Sequence, residues 1–177
     1  PRDRHHTGLV LDMDGARNLI LRDVDRPPVR RRFGLIDRAL AARRLTQAIT
    51  EFDVRGAAHG PARALSGGNQ QKLVLARELG HAPRLLIAEQ PTKGLDVAAT
   101  AFVQRKVLEL TRSGAAVLYI STELDELRAV ADRIAVMSSG RITGIVSRAE
   151  ADPQILGRLM GGGTAPPASG TRTGDAA

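Results

Sequence analysis

Cysteine is absent from the 177 residues. That excludes disulfides and thiolate metal sites, and is compatible with a reducing cytosol. Tryptophan is absent too, and one Tyr with three Phe make up the aromatics. So few rings provide no stacking platform for single-stranded nucleic acid. No apolar run approaches the roughly 18 residues that a membrane span needs. The opening Pro1-Arg2-Asp3-Arg4-His5-His6 leads into no apolar segment of the secretory kind. Histidine occurs four times, at His5, His6, His59 and His81, without ligand spacing to nearby carboxylates. Lysine is confined to Lys72, Lys93 and Lys106.

What is present fits one α/β domain with a real core: 42% of the residues are hydrophobic. The net charge of +7 comes almost wholly from arginine, scattered except for Arg30-Arg31-Arg32 and Arg43-Arg44. Charge of this kind is read as arginine-biased composition on solvated helix faces. A protein acting on nucleic acid would instead bind DNA or RNA with strong salt dependence, and no nucleic-acid partner is expected.

Along the chain, Leu9-Val10-Leu11 and Leu19-Ile20-Leu21 read as short segments around a turn at Asp12-Met13-Asp14-Gly15. Pro27-Pro28 marks a loop. A helix is predicted over 37–51, its apolar face carrying Leu40, Ala41, Leu45, Ala48 and Ile49. A loop over 56–64 precedes a second helix over 69–79, which stops at Gly80 before Pro83. Arg84 to Ala88 and Ala115 to Ile120 are continuous apolar runs of the buried parallel-strand type. Between them a helix runs over 99–112, with Val103, Val107 and Leu110 on one face. Thr122 to Asp125 has the pattern of a capping box opening a further helix to about Ala131. Ile134 to Met137 and Ile142 to Val146 pair as a hairpin across Ser138 to Arg141. The expected organisation is a domain over 1–160, with a mainly helical lobe over about 9–80 and a mostly parallel sheet flanked by helices over about 83–148. Residues 161–177, rich in Gly, Pro, Ala, Ser and Thr, are expected to be disordered.

One octapeptide is the most informative: Leu65-Ser66-Gly67-Gly68-Asn69-Gln70-Gln71-Lys72. Ser66 and two glycines stand directly before a helical pattern, placing backbone N–H groups and a hydroxyl at the positive end of a helix dipole. Glycine there lets a ligand reach the backbone. The same residues also suit an ordinary serine cap and glycine turn, and the downstream sequence decides between the two. Leu85 to Val97 (Leu-Leu-Ile-Ala-Glu-Gln-Pro-Thr-Lys-Gly-Leu-Asp-Val), Ile120 to Glu126 and Asp132-Arg133-Ile134 follow in the order found in ABC transporter ATPases. With the Asn-Gln-Gln-Lys ending and Pro1 to Arg4, roughly Pro1 to Gly161 resembles the second ATPase domain of the tandem ATP-binding subunits of bacterial simple-sugar and nucleoside importers.

The resemblance implies a P-loop NTPase fold, ATP and Mg²⁺ as cofactors, and a position on the cytoplasmic face of the membrane. It implies a second ABC ATPase domain and permease subunits as partners, and a solute-binding protein indirectly. In that family two domains pair head to tail, so Ser66, Gly67, Gly68, Asn69 and Gln70 are expected to touch ATP held by the partner domain. Asp96 would link the two sites, and the lobe around Asn18 to Leu21 would face the permease. The departures are equally informative. No G-x-x-x-x-G-K-[ST] occurs, since none of the three lysines follows glycine, so the chain reads as an N-terminally incomplete domain lacking the P-loop and its strand. Glu89 and Gln90 occupy the positions of the family's Mg²⁺-binding Asp and water-polarising Glu. Glu89 remains a candidate metal ligand, whereas an amide such as Gln90 cannot accept a proton. Glu123 replaces the switch histidine and adds repulsion toward ATP. The expectation is a degenerate site of its own beside an intact donor motif, with no ATP hydrolysis by this chain alone. A regulatory pseudo-ATPase module is the alternative.

Overall fold

The computed structural model describes residues 7–56 and 60–163. Pro1 to His6 and the predicted tail from 164 onward lie outside the described residues. The chain divides into two units, Pro1–Thr122 and Glu123–Ala177.

In the first unit, α1 (Gly15–Ile20) opens at Asp14, whose carboxylate accepts from Arg17 N. Leu19 and Ile20, expected on a short segment after a turn, are therefore buried helical residues. The aspartate cap explains the difference, because it supplies a helix start that the preceding apolar triplet conceals. Helix α2 (Arg38–Phe52) is capped by Asp37, which accepts from Leu40 N at 2.9 Å and from Arg31 Nε at 2.8 Å. It buries Ala41, Leu45, Ala48 and Phe52, whereas Ile49, expected on that face, is exposed. Phe52 sits one turn beyond Ala48 and carries the stripe to the end of the helix.

Asp37 gives a pH-dependent contribution to this lobe. The Leu40 N–H first, and then the Arg31 guanidinium, hold its carboxyl below the ordinary 3.8. A depressed carboxylate stabilises the fold above its unfolded value and loses that contribution as pH falls through the folded one. Asp37→Ala is therefore expected to lower the melting temperature at pH 7, with the difference shrinking as pH falls through the depressed folded value. Thermal melts of both proteins across that range check it.

Helix α3 (Gly67–Leu79) follows a 3-10 turn at Ala62–Ala64. Its residues Leu73, Val74, Leu75 and Ala76 enter one core with Leu19, Leu45, Phe52, Val54, Phe102 and Val103. Strands β1 (Leu85–Glu89) and β2 (Ala116–Ile120) pair in parallel, Leu85 opposite Ala116 and Glu89 opposite Ile120. Helix α4 (Val97–Arg112) connects them in the β-α-β manner. Leu86 and Ala88 pack on Val107 and Val117. The opposite face, with Leu85 (58%), Ile87 (60%) and Leu118 (52%), is exposed, so these strands are not buried on both sides as their apolar runs predict. A continuous apolar run states what a strand could bury, and the neighbouring elements decide what is covered.

The second unit contains α5 (Leu124–Val130), β3 (Arg133–Ser138), β4 (Arg141–Ser147) and α6 (Pro153–Met160). The β3–β4 hairpin is antiparallel, as predicted, and turns through left-handed Ser139 and Gly140. The capping box expected at Thr122 to Asp125 does not form: Glu123 is the N-cap of α5 and makes no side-chain capping bond. A capping box forms instead between Ser147 and Glu150. Helix α6 lies outside the predicted elements, although Asp152-Pro153 is a cap followed by a first-turn proline. Its Leu156 and Leu159 are fully buried against Ile134, Val136 and Val146. No helix among the described residues is long and apolar enough to cross a membrane.

Candidate functional site

Helix α3 begins two residues before the predicted start at 69. Ser66 is the N-cap and Gly67 the first helical residue. Ser66 Oγ accepts from Asn69 N at 3.4 Å and from Asn69 Nδ2 at 2.9 Å. Leu65 is buried in the first-unit core and anchors the motif from below.

A Cβ on Gly68 would stand 3.4 Å from the Ala99 Cβ of α4, an ordinary van der Waals contact, so the first turns of α3 and α4 lie side by side here. Asp96 caps α4, its Oδ1 accepting from Ala99 N at 2.7 Å. Two features that the sequence separates by about thirty positions, the serine-glycine motif and Asp96, are thus brought to neighbouring helix N-termini.

Gln70 is only 5% exposed, and its Nε2 donates to Ala62 O at 3.1 Å and Leu65 O at 3.2 Å. The side chain braces the turn that leads into the motif. Two further residues carry no motif signal. Asp53, in left-handed backbone at the end of α2, receives Lys72 Nζ on both its carbonyl (3.0 Å) and its carboxylate (2.9 Å). Arg55 donates its backbone N–H to Asn69 Oδ1 at 2.8 Å and its Nε to Asp53 Oδ1 at 2.9 Å. The Arg55 guanidinium first, and then Lys72, hold the Asp53 carboxyl below its usual range. Only the folded loop brings 53–55 beside 69–72, because nothing in the local spacing marks the pairing.

A second cluster sits where β1 and β2 end. Glu89 is the half-buried last residue of β1. Gln90 follows in left-handed backbone (φ 47°), donating its N–H to Ile120 O at 2.8 Å. Its Nε2 donates to Thr122 Oγ1 at 3.2 Å. The carboxyl ends of parallel strands are the usual ligand side of α/β sheets. Glu123 belongs to the second unit, at the start of α5. Among the described residues no three His, Asp or Glu side chains converge on a metal-sized site.

No protein-family model matches the chain. Among solved structures, the dimeric MJ0796, a bacterial ABC transporter cassette, matches with a TM-score of 0.65 at 20% identity, covering 81% of this chain and 60% of that one. A post-hydrolysis dimer of the same cassette, bound to ADP and Pi, matches with a TM-score of 0.63. The chain has the ABC ATPase cassette fold. Sequence relatives of this cassette chain are ATP-binding proteins of nucleoside and ribose import systems. The nucleoside import ATP-binding protein NupA of Lactococcus lactis is 46% identical over 164 residues, covering 92% of this chain and 32% of that protein. The guanosine import ATP-binding protein NupO of Bacillus subtilis is 45% identical, over 93% of this chain and 32% of that protein. A ribose import ATP-binding protein of Streptomyces avermitilis is 43% identical, over 88% of this chain and 30% of that protein. The cassette chain therefore spans about a third of the length of the curated relatives it matches.

Proposed function

We propose that this cassette couples ATP to the import of a nucleoside or sugar, by offering Leu65 to Gln70 to ATP held on a partner ATPase domain. The observation that carries the reading is the contrast between its two clusters. The serine-glycine motif is fully formed as a capped helix N-terminus, with Ser66, Gly67 and Asn69 at the mouth and Gln70 bracing it. At the end of β1, an amide stands where a base is needed, and it donates a hydrogen bond to Thr122. Phosphoryl transfer depends mostly on positioning and charge stabilisation, so a donor motif can serve a neighbour's ATP without owning a base.

The partner domain would supply the phosphate loop. The permease would receive the motion through the helical lobe, with a solute-binding protein acting further upstream. The working place is the cytoplasmic face of the membrane. Mg²⁺, when bound with ATP, neutralises charge between the β- and γ-phosphates. Of this chain's residues Glu89, a half-buried carboxylate at the end of β1, would be the one to hold it, since Mg²⁺ is bound through one or two carboxylates. The relatives' names support the import reading, nucleoside before ribose by identity.

Phosphate release separates this reading from a purely regulatory module. The chain alone should release none above background, while the assembled ATPase pair turns over. Gln90→Gly, which suits the left-handed backbone, should leave the pair's turnover within about twofold, because no proton passes through the amide. A loss of tenfold or more, about 1.4 kcal/mol in the barrier, would give Gln90 a working role and end the degenerate-site reading.

A further inference from the structure

The hydrogen bonds around Asn69 define where the Ser66 hydroxyl proton points. Arg55 N–H can only donate, so the Asn69 atom 2.8 Å from it is the carbonyl oxygen, and the amide nitrogen faces Ser66. That nitrogen donates to Ser66 Oγ at 2.9 Å, and the Asn69 backbone N–H approaches the same oxygen at 3.4 Å. A hydroxyl oxygen has two acceptor positions and one hydrogen. Both acceptor positions are taken by Asn69, which leaves the hydrogen the remaining tetrahedral direction, away from the helix. Ser66 is exposed, and no hydrogen bond donated by its hydroxyl is found among the described residues.

We propose that Asn69 is a positioning residue which, held by the Arg55 amide, fixes Ser66 as a hydrogen-bond donor toward the phosphate of the partner domain's ATP. The relay runs Arg55 N–H to Asn69 Oδ1, Asn69 Nδ2–H to Ser66 Oγ, and Ser66 O–H to the anion. Its anchoring continues along the surface: Asp53 holds the Arg55 guanidinium, and Lys72 holds Asp53 through its carboxylate and carbonyl. The loop over 53–55 therefore serves the motif although it belongs to the preceding helix. A serine without this relay rotates its hydroxyl among several partners, water included. A preset donor incurs no reorganisation when charge develops on the phosphate. This inference rests on the donor-motif reading given above.

The test is a double-mutant cycle on ATP turnover by the assembled ATPase pair, with kcat and KM measured for Ser66→Ala, Asn69→Ala and both together. Ser66→Ala should lower kcat by about a hundredfold, the scale of removing one oxyanion-type donor. Asn69→Ala should lower kcat by about tenfold with the KM for ATP little changed, since it acts on the transition state through Ser66. The double variant should match Ser66→Ala alone, the signature of residues acting as one unit. Asn69→Asp keeps the acceptor for Arg55 and favours the helix N-terminus, so it folds. It lacks the N–H toward Ser66 and should turn over no faster than Asn69→Ala. Wild-type turnover by Asn69→Asp, or a further full loss from Asn69→Ala on the Ser66→Ala background, overturns the relay while the donor-motif reading stands. Unchanged turnover by Ser66→Ala overturns both.

Discussion

Gly67→Trp in the assembled ATPase pair is expected to cut ATP turnover by about a hundredfold, the scale set by losing preorganised donors at a developing charge. Gly67 is the first residue of α3 and follows the Ser66 cap directly. Its N–H is among the first four of the helix, which have no partner inside it. An indole there would stand between the phosphate and these amides. The backbone at Gly67 is ordinary helix, so a side chain introduces no conformational strain of the left-handed kind. Gly68 suits this experiment less well, because its Cβ position faces Ala99 of α4 at van der Waals distance. Phosphate release and a thermal melt of the same preparation decide the outcome. Wild-type turnover with a wild-type melt would show that nothing approaches the motif.

Leu73→Ala should destabilise the first unit by about 3 kcal/mol, within the range for a fully buried leucine. Leu73 has no exposed surface and lies two turns into α3, in the core shared with Leu45, Phe52, Val54 and Val103. Three helices meet around it, so the void left by the missing atoms cannot close without moving the backbone of one of them. Against a total stability of about 5–15 kcal/mol, such a loss is a large fraction of what holds a domain folded. Urea titration followed by circular dichroism measures it. Ile134, Val136, Leu156 and Leu159 form a separate core in the second unit, so hydrogen exchange there should be unchanged. A shift below about 1 kcal/mol would mean that the helices collapse onto the gap and that the core is far more plastic than its packing implies.

Local chemistry made much of the fold legible. The period of Leu45, Ala48 and Leu73 to Ala76, the apolar runs at 85–88 and 116–120, and the turn at Ser139-Gly140 produced the helices, strands and hairpin that the structure contains. The errors fall where two signals compete. Thr122 and Asp125 carry the residues of a capping box, yet the chain starts α5 at Leu124 because Glu123 takes the cap position. Asp14 and Asp152 each cap a helix of six or eight residues, too short for its apolar period to mark it in the sequence.

The sequence by itself determined the identities that limit the chemistry. The serine and glycines of 66–68 can serve an anion, and the amide of Gln90 cannot take a proton in any fold, because these are properties of the side chains themselves. Tertiary structure alone decided how those groups are held. It set Gly68 beside Ala99, turned Gln70 inward to the Ala62 and Leu65 carbonyls, and brought Arg55 to Asn69. The reason is range: backbone periodicity and caps act within about one helical turn, whereas these contacts join residues that only the closed chain makes neighbours.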